Sequence, residues 1–274
     1  MKNFTVAFIG SGNIASSMIG GLIANGMDAQ QLIAADPDKA QQQLIAEKYG
    51  IRVLDVNCEA AKKTDVIIFA VKPQLMQKVV KEISEKINVE NRLILSVAAG
   101  VKLKSIENWL GQSSSVVRVM PNMPALIQAG ASALYANTQV QEKQKNIAET
   151  IMRSVGATIW LSSEEQLDTV TALSGSGPAY FFYFMELIEN RAIEMGLNKE
   201  DAHLLTIETA LGAAKMALLS SFNLRTLREQ VTSSGGTTEQ ALNIFIKGKL
   251  DELVNNAMNA AKERSIELSK SFKD

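Results

Sequence analysis

Residues Val6 to Ala15 read Val-Ala-Phe-Ile-Gly-Ser-Gly-Asn-Ile-Ala, an apolar strand running straight into Gly10-x-Gly12-x-x-Ala15. An apolar helical pattern follows through Met18, Ile19, Leu22 and Ile23, and a second strand pattern through Leu32 to Ala35. Gly10 permits a tight turn. Gly12 lacks the Cβ that would keep a pyrophosphate away from the backbone, and Ala15 lets the helix lie close to the strand. The start of that helix offers unpaired N–H groups and the positive end of a dipole to phosphate. Strand, turn, helix and strand in this order predict a βαβ unit that binds a dinucleotide.

The end of the second strand bears on which dinucleotide. The chain there reads Leu32-Ile33-Ala34-Ala35-Asp36-Pro37-Asp38. Asp36 falls roughly 20–25 residues after the glycines, where an acidic side chain binds the adenosine ribose hydroxyls. A carboxylate there repels a 2′-phosphate, and Lys39 is the only cation close by in sequence. Asp36 and Asp38 also both suit the cap of a helix entered through Pro37. The residues alone leave ribose contact and capping open.

Through about Leu161, strand and helix patterns alternate. Strands are expected at 5–9, 32–35, 66–71, 93–97, 116–120, 131–135 and 158–161, with helices at 39–49, 74–87 and 142–154. Such alternation predicts a mostly parallel sheet with helices on both faces. The unbroken apolar run Val66 to Val71 suits a strand buried on both sides. After Leu161 the strand patterns stop, and helices are expected at 181–195, 199–219, 224–230, 238–246 and 250–269. The expected architecture is α/β: a Rossmann-type dinucleotide-binding domain over 1–162, then an all-helical substrate and dimerisation domain over 163–274. Leu211 to Leu219 is apolar nearly all round, as in a domain centre or a subunit contact, which makes a homo-oligomer the expected state.

Ligands of an open α/β sheet sit beyond the carboxyl ends of its strands. That singles out Val71-Lys72-Pro73, Ala98-Ala99-Gly100 and Pro121-Asn122-Met123-Pro124, each of which also reads as ordinary turn punctuation. The two prolines of the last loop suggest an extended, rigid path. In the helical half, Ser174 to Tyr180 opens a helix with Pro178 in its first turn. Val231-Thr232-Ser233-Ser234-Gly235-Gly236-Thr237-Thr238 joins two helices. Its Gly-Gly pair before Thr-Thr reads either as a nest of N–H groups for a small carboxylate or phosphate or as a capped helix–helix turn.

Other chemistries find little support. His203, the single histidine, lies mid-helix among Leu204, Leu205 and Ile207, as a surface or packing residue does. Cys58 is alone, so no internal disulfide forms, and no His or Cys cluster suggests a metal. Lys215 on its apolar helix reads as a base or a snorkelling side chain. A redox site without an evident acid or base points to a substrate already activated towards hydride, such as an iminium carbon. The 28 Lys and Arg nearly balance the 29 Asp and Glu, so neither nucleic acid nor an anionic membrane surface is an expected partner. The run Ala179 to Leu187 is too short to span a bilayer. The chain opens on a strand rather than a secretory signal, so a cytoplasmic location is expected.

Six motifs then resemble, over essentially the whole chain, the pyrroline-5-carboxylate reductases. They are Gly10-Ser-Gly-Asn-Ile-Ala15, Ala70-Val-Lys-Pro73, Ala98-Ala-Gly100, Arg118-Val-Met-Pro-Asn122, Ser174-Gly-Ser-Gly-Pro-Ala-Tyr180 and Val231-Thr-Ser-Ser-Gly-Gly-Thr-Thr238. The resemblance implies reduction of the cyclic imine pyrroline-5-carboxylate to L-proline with NADP(H), or alternatively NAD(H). It also implies a homodimer interlocked through the helical domain and able to build into a larger ring. It places Ile9, Gly10, Ser11, Gly12, Asn13 and Ile14 around the pyrophosphate, and Asp36 and Asn57 at the adenosine ribose. Val71, Lys72, Pro73 and Ala98 fall at the nicotinamide side, and Gln230 at a position that touches the cofactor. Glu164, Gly235, Gly236, Thr237 and Thr238 fall near the substrate, with Thr238 the catalytic candidate as donor to the ring nitrogen. Asp36 stands where many members have Ser, Ser234 replaces a usual Pro, and Gln230 replaces a commoner Asn. A 3-hydroxyacid dehydrogenase, which would need Lys215 as its catalytic lysine, and a non-catalytic nucleotide sensor are the rival readings.

Overall fold

The computed structural model describes residues 4–111 and 113–272. By its internal contacts the chain forms two units, one holding residues through Ser176 and again from Ala261, the other Gly177–Ala260. The first unit alternates as expected. It runs β1 (Val6–Ile9), α1 (Asn13–Ala24), β2 (Leu32–Ala35), α2 (Lys39–Tyr49), β3 (Arg52–Leu54), α3 (Asn57–Ala61), β4 (Val66–Phe69) and α4 (Met76–Lys86). It continues with β5 (Leu93–Ser96), α5 (Leu103–Leu110), β6 (Ser115–Met120), β7 (Gly130–Ala136), α6 (Glu142–Arg153), β8 (Gly156–Trp160) and α7 (Gln166–Val170).

Among the described residues the strands form one sheet in the order β3-β2-β1-β4-β5-β6-β7-β8. All pairs are parallel except β6 with β7. Strand alternation sorts the core into two layers. Val6 and Phe8 face α1, α2 and α6, packing with Met18, Ile19, Leu22, Ile45 and Ile151. Ala7 and Ile9 face the other way, with Met76, Val80 and Ile83 of α4 and Ile106 and Trp109 of α5. Every residue of β1, β4 and β5 is buried, and β1 and β4 accordingly read as unbroken apolar runs.

Four elements escaped the sequence reading: β3, α3, α5 and α7. β3 is short and partly exposed, and α3 spans barely more than one turn, so neither carries enough period to be seen. Met123–Ile127 is a 3-10 turn rather than the extended loop expected from its prolines. Pro124 sits at the start of that turn, where its fixed φ and missing N–H are tolerated. The contacts also divide the chain later than the expected boundary at 162/163. Residues 163–176 stay with the sheet because Glu164 and Ser174 are bonded to it, as detailed below.

The second unit is helical: α8 (Gly177–Glu194), α9 (Lys199–Leu219), α10 (Leu224–Gln230), α11 (Thr237–Lys247) and the first half of α12 (Leu250–Lys270). Asn198 and Asn223 cap α9 and α10 through their side chains. α8 packs on α9. Its apolar side chains stay largely uncovered: Phe181 is 70% exposed, Leu218 84% and Leu219 85%. By length and composition alone, α9 is long and apolar enough to cross a membrane. A surface so apolar needs cover from another protein surface or from lipid.

Gly21 tests the packing of α1. Ala ordinarily stabilises an exposed helix interior by about 1 kcal/mol over Gly. Here a Cβ would stand 2.4 Å from the Ser154 carbonyl oxygen, which is backbone and cannot rotate away. Gly21→Ala should therefore destabilise, by about 1–3 kcal/mol, measured as a lower midpoint of chemical denaturation. A raised midpoint would mean that α1 shifts freely against the 154–155 turn.

Candidate functional site

The sheet order reverses between β1 and β4, since the chain first builds towards β3 and then, from β4, in the opposite direction. The carboxyl ends of the strands flanking such a reversal form a crevice for ligands. Gly10 shapes it, with φ +90°. A Cβ there would stand 2.8 Å from the Ala70 carbonyl oxygen and 3.0 Å from Val71 Cγ1. The turn is tied to both neighbouring strands, Gly10 N–H donating to Ala35 O (2.8 Å) and Ala70 N–H to Ile9 O (2.8 Å).

Gly12 precedes α1 and offers no side-chain cap, and the first turn of α1 carries no acidic residue. A Cβ on Gly12 would meet nothing within 4 Å. Among the described residues no acidic side chain of the first turn itself meets the N–H groups there or the positive end of the dipole, and the space beside Gly12 is open. A pyrophosphate fits that cradle in charge and in room. Ile9, Gly10, Ser11, Gly12, Asn13, Ile14, Asp36, Asn57, Val71, Lys72, Pro73 and Ala98 all lie at or next to the carboxyl edge formed by β1, β2, β3, β4 and β5.

Asp36 is not the helix cap. Asp38 caps α2, its Oδ1 accepting from Ala40 N–H at 2.9 Å. Asp36 instead reaches back to the glycine turn, Oδ2 accepting from Ser11 N–H (2.9 Å) and Ser11 Oγ–H (3.0 Å). Gln41 closes the same corner by donating from Nε2 to Ser11 O at 2.5 Å. Asn57 Nδ2 donates to Glu82 at 3.4 Å. Burial first, and then the charge of Glu82, pushes the Cys58 thiol up, so this thiol is a poor nucleophile.

Further along the edge, sequence reasoning passed over a buried charge. Arg118 lies inside the apolar strand β6 and is 9% exposed. Its Nη1 donates to Glu164 Oε1, and the same oxygen accepts Leu103 N–H, the first of α5, at 2.7 Å. Glu164 thus pairs a buried guanidinium and holds the start of α5. An arginine within Val-Val-Arg-Val-Met was the signal available, because a charge in a central strand requires a partner.

Asn122 Nδ2 donates to Ser174 O (3.0 Å), and Asn122 Oδ1 accepts from Ala131 N–H (2.9 Å). Residues Thr171–Gly175 form a π-turn, closed by Ser176 N–H donating to Thr171 O at 2.8 Å. Such turns often mark functional sites. A Cβ on Gly175 would lie 2.5 Å from Met120 Cε. The Arg118–Asn122 and Ser174–Gly175 motifs are therefore one packed assembly.

In the helical unit, Gln230 ends α10, and Gly235, Gly236, Thr237 and Thr238 lead into α11. Gly235 has φ +75°. Gly236 is the residue before α11, and no side chain caps that helix, so the Thr238 hydroxyl is not the cap. The Gly235 N–H donates to Glu239 Oε2 at 2.8 Å, so the glycine loop already accommodates a carboxylate, one from its own helix. His203 is an exposed partner of Glu189, Nδ1 to Oε2 at 2.9 Å.

Comparison with known proteins agrees with this geometry. The family model described as pyrroline-5-carboxylate reductase dimerisation matches residues 164–268. A second, described as NADP oxidoreductase coenzyme F420-dependent, matches residues 5–100. A pyrroline-5-carboxylate reductase of Pseudomonas aeruginosa is 47% identical over 269 residues, covering 98% of each chain. The chain belongs to the pyrroline-5-carboxylate reductase family. A member from Arabidopsis thaliana is 37% identical over 98% of this chain and 97% of its own. The solved structure of the Coxiella burnetii reductase covers 97% of this chain and 99% of its own, at 44% identity and a TM-score of 0.94. The Plasmodium falciparum reductase, solved with NADP bound, covers 98% of this chain and 99% of its own, at 28% identity and a TM-score of 0.87. The chain is thus an NAD(P)H-dependent oxidoreductase with a Rossmann-type domain and a helical dimerisation domain.

The Arg118–Glu164 pair carries its own test. Glu164→Ala strands the guanidinium and frees an N–H of α5. Because the Glu164 side chain is 21% exposed, the expected loss lies somewhat below that of a fully buried pair, about 2–4 kcal/mol. Urea denaturation of Glu164→Ala against Glu164→Gln, which keeps an acceptor oxygen, checks it. Equal stability of all three proteins would show the pair to be dispensable.

Proposed function

We propose that this protein reduces 1-pyrroline-5-carboxylate to L-proline with NAD(P)H, the last step of proline biosynthesis. When bound, the reduced nicotinamide supplies a hydride to the imine carbon. The chain's own residues bind, orient and polarise. Gly12, Asn13 and Ile14 turn backbone N–H groups and the α1 dipole to the pyrophosphate, while Ile9, Gly10 and Ser11, with the Gly10 and Ser11 N–H groups bonded to Ala35 and Asp36, shape the turn beside it. Asp36 and Asn57 contact the adenosine ribose, Val71, Lys72, Pro73 and Ala98 flank the nicotinamide, and Gln230 touches the cofactor. Gly235, Gly236 and Thr237 take the substrate carboxylate in the place that Glu239 holds in the free chain. Glu164, fixed by Arg118, borders the substrate. The Thr238 hydroxyl donates a hydrogen bond to the imine nitrogen; as hydride adds to the carbon the C=N π pair becomes the nitrogen lone pair, which takes its proton from solvent. The division of labour falls near 162/163, with nucleotide binding before it and substrate and subunit contacts after it.

The observation that carries this reading is the pairing of two anion cradles in one chain. One is the open α1 terminus behind a dinucleotide fingerprint. The other is a Gly-Gly loop whose N–H is bonded to a carboxylate at 2.8 Å. A hydroxyacid dehydrogenase would need a catalytic lysine, and Lys215 stands exposed on α9. A regulatory sensor has no use for a second carboxylate cradle. The exposed apolar faces of α8 and α9 support a homodimer; its building into a larger ring and its work in the cytoplasm are part of the same proposal.

Initial rates of NADPH and NADH oxidation with pyrroline-5-carboxylate test the activity directly. Thr238→Ala should lower kcat/KM by the equivalent of about 1–3 kcal/mol while leaving cofactor affinity and melting temperature unchanged. Wild-type rates at limiting and saturating substrate would leave the Gly-Gly loop acting through its backbone alone. Light scattering at micromolar concentration should give a dimer or a multiple of it, and a monomer would remove the assembly.

A further inference from the structure

The adenosine end of the nucleotide site is acidic, and its one nearby cation is already engaged. Asp36 directly follows β2, and Leu54 O receives the Asp36 N–H at 2.9 Å, so Asp55, the residue after β3, stands alongside. Asp38 follows two residues on, its N–H donating to Asp36 Oδ1 at 3.1 Å. Three carboxylates thus gather against a single ammonium, Lys39, whose Nζ lies 3.2 Å from Asp55 Oδ2. That hydrogen bond holds the Asp55 carboxyl below its usual range.

The other cations are placed elsewhere by the topology. Arg52 begins β3, in register with Ile33 rather than Ala35, and so lies at the amino edge of the sheet. Lys62 and Lys63 precede β4 at that same edge. Lys48 lies at the far end of α2, 5.0 Å from the Tyr49 ring centroid. Lys72 and Lys102 follow β4 and β5, on the opposite side of β1 from β2. Arg118 is buried against Glu164.

Asp36 is also held in place. Its Oδ2 accepts two donors of Ser11, which is fully buried, and Gln42 Nε2 donates to the Asp36 carbonyl at 2.6 Å. With Oδ2 held by Ser11 and Oδ1 by the Asp38 N–H, the carboxylate is fixed where a dianionic group would be brought beside it. Ribose hydroxyls, in contrast, can donate to it. Recognition of a 2′-phosphate calls for a free Arg or Lys at the end of the second strand, and among the described residues none stands there unpaired.

We propose that Asp36, with Asp38 and Asp55, makes this chain prefer NADH over NADPH by setting an anchored cluster of carboxylates where a 2′-phosphate would be received. The proposal rests on the dinucleotide-binding part of the reading above and is independent of the substrate.

Isothermal titration calorimetry of the full chain with NADH and with NADPH, in the absence of any pyrroline compound, tests it. NADH should bind at least about tenfold more tightly at low ionic strength, and the gap should narrow in about 0.5 M salt as charge repulsion is screened. Asp36→Ser should close or invert the gap, mainly through tighter NADPH binding. Asp36→Asn keeps an acceptor oxygen for Ser11 while removing the charge, and should move the ratio the same way. It carries the test if Asp36→Ser melts early. Equal or tighter NADPH binding by the wild-type protein overturns the proposal. So does a parallel loss of both affinities in both variants, which would leave Asp36 only the task of holding Ser11. Reduction of pyrroline-5-carboxylate, measured separately, stands or falls on its own.

Discussion

The approach of the Gly10 backbone to the Ala70 carbonyl is the contact on which the rest of the nucleotide-binding edge depends. A side chain at Gly10 would meet backbone rather than a movable group, 2.8 Å away, on a residue already at φ +90°. That closeness draws the ends of β1, β2 and β4 into one rim, with Gly10 N–H bonded to Ala35 O. Only then can α1 begin directly behind β1 with its first N–H groups facing outward, and only then does Asp36 reach the Ser11 hydroxyl. A bulkier turn would separate these pieces even with every strand intact.

Beyond β5 the edge is stiffened by polar groups that the core cannot tolerate alone. Arg118, Glu164 and the first N–H of α5 satisfy one another, and Asn122 bridges the Ala131 N–H and the Ser174 carbonyl. Each of these groups would be costly if left unpaired in a protein interior. The chain past the last strand is thereby fastened to the sheet as far as the π-turn at 171–175. The end of α12 returns to the same unit. Ser265 Oγ–H donates to Asp168 Oδ1 at 2.6 Å, and Phe272 lies against Gly100.

The helical unit obeys a different constraint. Two of its helices, α9 and α10, carry side-chain caps, yet many apolar side chains of the unit are exposed. Association supplies that cover in a family whose helical domain is a dimerisation domain. The stability of this unit is accordingly linked to protein concentration. The Gly235–Thr238 loop sits on that unit, within the residues that match the dimerisation domain.

Much of this was legible in the sequence, for reasons tied to particular residues. The apolar runs of β1 and β4 and the period of α4 are local signals. So are the Gly10–Gly12 turn and the Gly235-Gly236 loop, because glycine takes the positive φ at Gly10 and Gly235 at least cost. Sequence alone therefore determined the class of fold, the order of the domains and the family. It left open whether Asp36 caps a helix or faces the nucleotide, and it missed β3, the Arg118–Glu164 pair and the return of α12. Those depend on which distant segments meet. A carboxylate reads the same in one dimension whether it caps its own helix, holds a glycine turn 25 residues away or neutralises a buried arginine. Only the tertiary structure decides among these, since the free energy of a charge is set by the groups that surround it in space.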